Sequence, residues 1–219
     1  MEQRVLEMEN VRFCGVVTAA VSHEIKNMLA IINETAGLLD DFTRQAEMAK
    51  VPLEPERVHD SVAAINRQVR RADGVVRHLN RFAHSADREA ETVDLAEIIE
   101  LFVALTARRA AACGADIQVE PGAAAVKVET NPFLLLHLLW RGLEFALATI
   151  GAGARLRMTV EAGPDGGRGG QLTMRWHAPA AADETGIEFP GACDRELLAR
   201  LPGKCLLRRQ HDGFLLVLP

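Results

Sequence analysis

Apolar residues return every three or four positions through the first part of the chain. Val21, Ile25, Met28, Ile32, Leu39 and Phe42 make one stripe of a helix. Nothing breaks the pattern from about Val5 to Ala49, which predicts a helix long for a globular protein and in need of a partner along its length. The break comes at Val51-Pro52-Leu53-Glu54-Pro55, where two prolines end one helix and let another start. Val58, Val62, Ile65, Val69, Ala72, Val75 or Val76, Leu79 and Phe82 then carry a second stripe to about Ala86. Two long amphipathic helices joined by a short loop predict an antiparallel hairpin. One hairpin cannot cover both stripes, so pairing with a second copy into a four-helix bundle, a homodimer, is the natural solution.

The pattern then shortens. His84 to Glu91 is polar and reads as a hinge, which divides the chain into residues 1–88 and 89–219. Asp94-Leu95-Ala96-Glu97 has capping-box form and opens a helix to about Ala112. Ile117 to Val119 and Val126 to Val128 read as short strands, and Asn131-Pro132 supplies a cap and first-turn proline for an apolar helix from Phe133 to Ile150. Strands follow at Arg155 to Glu161 and Gln171 to Trp176. Between them runs Gly163 to Gly170, whose glycines suggest a phosphate loop, but whose place between alternating strands reads as a hairpin connection. A short helix near Arg195 to Leu201 and a closing hairpin, Cys205 to Arg209 and Phe214 to Leu218, complete an α/β sandwich. The fold class expected is therefore α + α/β.

Composition narrows the function classes. The 219 residues are 48% hydrophobic and 25% charged, which suits one or two globular domains, and the net charge of -5 gives no sign of a nucleic-acid surface. No apolar run is long enough to span a bilayer, and the N-terminus, with Glu2, Arg4, Glu7 and Glu9, is charged rather than signal-like; a cytoplasmic protein is expected. Cys14, Cys113, Cys193 and Cys205 are far apart and lack metal-type spacing, so reduced thiols are expected. With aromatics at 5% and no tyrosine, the cores should be aliphatic. Arg67, Arg70, Arg71, Arg77 and Arg81 make the second helix basic; a solvated face is the default reading and an acidic partner the alternative.

The chemistry lies in the first helix. His23 falls two positions from both Val21 and Ile25, about 200° round the helix, and so points away from the stripe. Asn27, four residues on, shares its face, and Glu24 is its neighbour. An exposed imidazole is a nucleophile near neutral pH, and a nearby carboxylate orients it or accepts its proton. A lone histidine in such a place is ordinarily a surface residue. Here, however, Ser22-His23-Glu24-Ile25-Lys26-Asn27 followed by Met28-Leu29 resembles the phosphoacceptor box of bacterial sensor histidine kinases, with Met28 in place of the usual proline. The order of elements after the hairpin likewise resembles the ATP-binding α/β domain of that family.

The resemblance implies a dimer and a nucleotide site, and the second implication meets departures. Where the family carries Asn-Leu-x-x-Asn-Ala, whose second asparagine helps to hold magnesium, this chain has Arg141-Gly142-Leu143-Glu144-Phe145-Ala146. A phenyl ring offers magnesium no oxygen, and Glu144 would point about 100° from Phe145. The adenine-reading Asp-x-Gly-x-Gly is replaced by His177 to Gly186, and the glycine-rich lid by something like Cys193 to Gly203. ATP binding is therefore not expected, and no cofactor is expected on this chain. The leading expectation is a histidine phosphotransferase: His23 takes a phosphoryl group from one response-regulator receiver domain and passes it to another, the partner supplying magnesium. Alternatives are a phosphatase of a phosphorylated regulator using Glu24 and Asn27, a scaffold that binds a receiver or a true kinase, or a fragment of an active sensor kinase. His59, His78, His84, His137, His177 and His211 lack the setting of His23.

Overall fold

The computed structural model describes residues 2–120, 122, 125–150, 153, 155–163, 169–177, 188–210 and 212–219. The elements run α1 (Glu2–Ala49), α2 (Pro55–His84), β1 (Glu91–Asp94), α3 (Leu95–Ala112), β2 (Asp116–Val119), β3 (Lys127–Thr130), α4 (Pro132–Ile150), β4 (Arg155–Ala162), β5 (Gly170–His177), α5 (Ala192–Arg200), β6 (Leu206–Gln210) and β7 (Gly213–Leu218). They form two compact units, Thr18–Asn80 and Met1–Val17 with Arg81–Pro219.

Thr18–Asn80 holds the middle of the helical hairpin. Met28, at the place of the family's proline, is 1% exposed, and α1 continues through it unbroken. Val21 is buried and Ile25, Ile32, Leu39 and Phe42 are half-buried, so the first stripe faces inward as expected. At the loop, Lys50 takes the left-handed conformation (φ 54°), and the Val51 N–H bonds the Ala46 carbonyl at 3.1 Å, a Schellman-type stop. Arg57 then places its guanidinium 5.1 Å from the centre of the Phe42 ring, tying the two helices near that end. The second stripe needs correction. Val58, Ile65, Ala72, Val75 and Leu79 are half-buried, but Val62, Val69 and Val76, seven residues apart, are 43%, 50% and 41% exposed. The apolar residues of α2 thus occupy two rows, only one of which is used inside the protomer.

The other unit is an α/β sandwich. Five strands in the order β2-β4-β5-β7-β6 make one sheet, with β2 parallel to β4 and the other pairs antiparallel. Alternation puts Leu156 and Met158 of β4, Leu172, Met174 and Trp176 of β5, and Phe214, Leu216 and Leu218 of β7 into the core. α4 supplies most of the opposing layer through Leu135, Leu136, Leu138, Leu139 and Leu143. It approaches the sheet so closely that a Cβ on Gly142 would meet the Phe214 ring. Asn131 caps α4 as expected, accepting from Leu134 N–H at 2.9 Å.

Two expectations change here. β1 begins at Glu91, inside the polar stretch read as a hinge, and pairs antiparallel with β3; Asn131 Nδ2 also donates to the carbonyls of Arg88 and Glu89. The capping box of α3 forms only by half: Asp94 accepts from Ala96 N–H, while Glu97 accepts from Arg81 instead. The compact α/β unit also takes in the start of α1 and the end of α2, where Leu6, Phe13, Val17 and Phe82 are buried.

Those residues also correct the expectation of purely aliphatic cores. Phe13 stacks on His137 at 4.7 Å with rings 6° from parallel, meets Phe82 edge-on at 5.3 Å, and lies near Phe133 and Trp140. His137 is buried and its Nδ1 bonds Asn10 Oδ1 at 2.8 Å. Burial, and then the charge of Arg141, lowers its pKa from 6.5 to about 4. The folded protein therefore stays neutral at His137 where the unfolded chain takes a proton. This contribution to stability is complete above pH 6.5 and is lost as pH falls toward about 4, on the order of 3 kcal/mol in all. Urea unfolding at a series of pH values should show a shallower acid loss for His137→Gln than for the wild type.

Candidate functional site

His23 lies in the middle of α1, and its placement follows from the stripe around it. Val21 and Met28 are buried, Ile25 is half-buried, and Ser22, His23 and Asn27 are exposed. His23 and Asn27 share the outward face, one turn apart, as the spacing predicts. Glu24 is different. It is half-buried, and its Oε1 accepts a hydrogen bond from Arg71 Nη2 of α2 at 2.9 Å. The sequence-predicted residues are thus together, but the carboxylate is held from the second helix.

Arg71, which holds Glu24, is the residue at this site that the sequence reading missed. Its signal was the run of arginines on α2, read by default as a solvated face. That reading suits Arg77, which pairs with Asp73 of its own helix at 2.8 Å. It does not suit Arg71, whose partner is 47 residues away.

The positions matching the family's nucleotide motif are all engaged. Arg141 Nε donates to Asp194 Oδ1 at 2.8 Å, and Asp194, with no exposed surface, also accepts from Gly191 N–H at 2.8 Å through Oδ2. Glu144 receives two parallel hydrogen bonds from Arg109 of α3, at 2.7 and 2.9 Å. Phe145 packs between Trp176 and Phe189, with the Arg209 guanidinium 4.1 Å from its ring centre. Arg109, Arg141, Glu144, Phe145 and Phe189 border a cleft of about 630 Å3 whose walls include Trp140 and His137.

Of the other candidate segments, Cys193 to Gly203, read as the remnant of a lid, takes in most of α5. β4 and β5 are antiparallel, which agrees with a hairpin at the glycine-rich stretch, although residues 164–168 lie outside the described residues. So do residues 178–187, where the adenine motif would fall, and His211. Among the described residues, no group of three or more His, Cys, Asp or Glu side chains is placed to hold a metal, and no helix is long and apolar enough to cross a membrane.

The element order and the mixed five-stranded sheet covered by helices are those expected from the motifs. The α/β unit has the helix-and-sheet sandwich architecture expected from the sequence. No family model and no curated protein matches the chain. Among solved structures, the catalytic domain of histidine kinase ThkA is 15% identical, covering 60% of this chain and 96% of its own, with a TM-score of 0.48. Histidine kinase AdeS of Acinetobacter baumannii is also 15% identical, covering 90% of this chain and 96% of its own at a TM-score of 0.44. A structure described as a bacterial phosphotransferase is 16% identical over 94% of both chains, with a TM-score of 0.41.

Proposed function

We propose that this chain is a histidine phosphotransferase of two-component signalling, acting as a homodimer in the cytoplasm, and that His23 relays a phosphoryl group between response-regulator receiver domains. The observation that carries the reading is the exposed His23, with Asn27 a turn away, on a helix whose opposite side is packed. In the transfer, a lone pair of the imidazole forms the N–P bond as the P–O bond to the receiver aspartate breaks, its electrons leaving on the carboxylate. Such reactions run through a loose transition state in which positioning and charge stabilisation do most of the catalysis. Magnesium and the aspartate come with the receiver. The test is incubation with labelled phospho-receivers from the same organism; label should move onto this chain as an acid-labile, base-stable adduct. A chain that stays unlabelled with every receiver would end the proposal.

The reading includes no ATP-dependent kinase activity, which the engagement of Arg141, Glu144 and Phe145 supports. Titration with magnesium and ATP should give no saturable binding. A ligand that binds only the native state at a hundred times its Kd stabilises it by about 2.7 kcal/mol. A clear rise in melting temperature at millimolar ATP would therefore restore the reading as an active kinase fragment.

The dimer is supported by the exposed row Val62, Val69 and Val76 on α2, with Leu29, Ile31 and Leu38 exposed on α1. Because Val69 is half exposed in the protomer, Val69→Asp should act on assembly rather than on the hairpin itself. Sedimentation should shift from dimer to monomer while helical circular dichroism is retained.

A phosphatase reading draws on the same site, since the exposed Asn27 would position a water one turn from His23. Replacing His23 abolishes relay and leaves such an activity; replacing Asn27 does the reverse.

A further inference from the structure

We infer that Arg71 is a positioning residue of the His23 site, anchoring Glu24 by one oxygen so that the other is presented to the imidazole; the inference rests on the phosphotransfer reading. Neighbouring residues on a helix do not face each other, so nothing in α1 alone would keep the Glu24 carboxylate near His23. The restraint comes from α2. Arg71 Nη2 donates to Oε1 at 2.9 Å, and among the described residues Oε2 has no partner. Oε1 is thus held from α2, and Oε2 is left to accept from another donor.

The chemistry has a use for it. As the imidazole lone pair forms the N–P bond and the aspartyl P–O bond breaks, the ring gains positive charge, and its remaining N–H becomes a stronger donor. A fixed carboxylate oxygen that accepts from this N–H stabilises the charge, and no proton need leave in the step. Misplacing a catalytic group by about 1 Å can cost as much as 100-fold in rate. Arg71 is exposed at 62% and Glu24 half-buried at 25%, so the pair is open to solvent on the arginine side and contributes little to folding. Loss of Arg71 should therefore appear in transfer and not in stability.

The experiment measures single-turnover transfer from a labelled phospho-receiver, over a range of receiver concentrations, with the full-length dimer. Arg71→Gln should lower the saturating rate about tenfold, with the half-saturating concentration and melting temperature nearly unchanged. Arg71→Lys, which keeps a donor and the charge, should recover part of the loss. Arg71→Gln should add nothing to Glu24→Gln, because the two act through one contact. The swap Glu24→Arg with Arg71→Glu should leave transfer impaired although it rebuilds an ion pair.

A wild-type saturating rate in Arg71→Gln overturns the inference. So does a raised half-saturating concentration at an unchanged saturating rate, which would make Arg71 a docking contact, or full recovery in the swap, which would make the pair structural. If the wild-type protein itself takes no label, the phosphotransfer reading has failed and the inference falls with it. That outcome is told apart by the wild-type control alone.

Discussion

On the proposed function, His23→Ala should take up no label from a phospho-receiver, a loss of at least about a hundredfold in transfer rate, because among the described residues no other group offers the same nucleophile in the same place. The oligomeric state and the melting temperature should stay as they are. His23 is exposed on the outward face of α1, and truncating an exposed side chain ordinarily changes stability by no more than about 0.5 kcal/mol. The other described histidines are in unlike settings. His137 is buried under Phe13 and bonded to Asn10, and His84 is held by Asp87 at 2.8 Å. The check is phosphotransfer followed by denaturing electrophoresis, with sedimentation on the same samples. Labelling of His23→Ala at the wild-type rate would remove the centre of the proposed function and leave the scaffold as the better account.

Asp194→Ala should destabilise the α/β unit by about 3 kcal/mol, the cost of losing two hydrogen bonds to a buried carboxylate. Asp194 has no exposed surface, and each of its oxygens has an assignment: Oδ1 accepts from Arg141 and Oδ2 from the Gly191 N–H at the start of α5. Truncation removes both and leaves Arg141 with Glu9, at 3.8 Å, as its remaining ion-pair partner. Asp194→Asn should fall between, since its amide keeps one acceptor and turns a donor toward the other partner. The double change Arg141→Met with Asp194→Leu should recover most of the loss, because apolar groups of similar volume can replace a buried pair at little cost. Denaturant unfolding followed by tryptophan fluorescence measures all three, as Trp140 and Trp176 lie in this unit. A loss under about 1 kcal/mol for Asp194→Ala would mean that water or another group takes over the Arg141 contact.

What could be read in advance was local. The stripe through Val21, Met28 and Phe42 set the inward face of α1, and with it the outward face of His23 and Asn27. The prolines at 52 and 55 marked the loop, and Asn131-Pro132 marked the start of α4. Strand alternation likewise placed Leu172, Met174 and Trp176 on the inner side of β5. These features depend on residues within a turn or two of one another, where 3.6- and 2-residue periods translate directly into direction.

The side-chain pairs beside His23 and within the α/β unit are related otherwise. Glu24 meets Arg71 across 47 positions, Arg141 meets Asp194 across 53, and Asn10 meets His137 across 127. β1 was lost for the same reason: Glu91–Asp94 is polar at its start and becomes a strand only because β3 lies beside it. By itself, the sequence determined that this protein has a long helical hairpin carrying an outward histidine, followed by an α/β sandwich whose nucleotide motifs are altered. Only the tertiary structure decided that Glu24 is held from α2, that the first turns of α1 pack in the α/β unit, and that Arg141, Glu144 and Phe145 are engaged with other side chains. Periodicity is set by the backbone of one element, whereas ion pairs and ring contacts exist only where folding brings two elements within a few ångströms of each other.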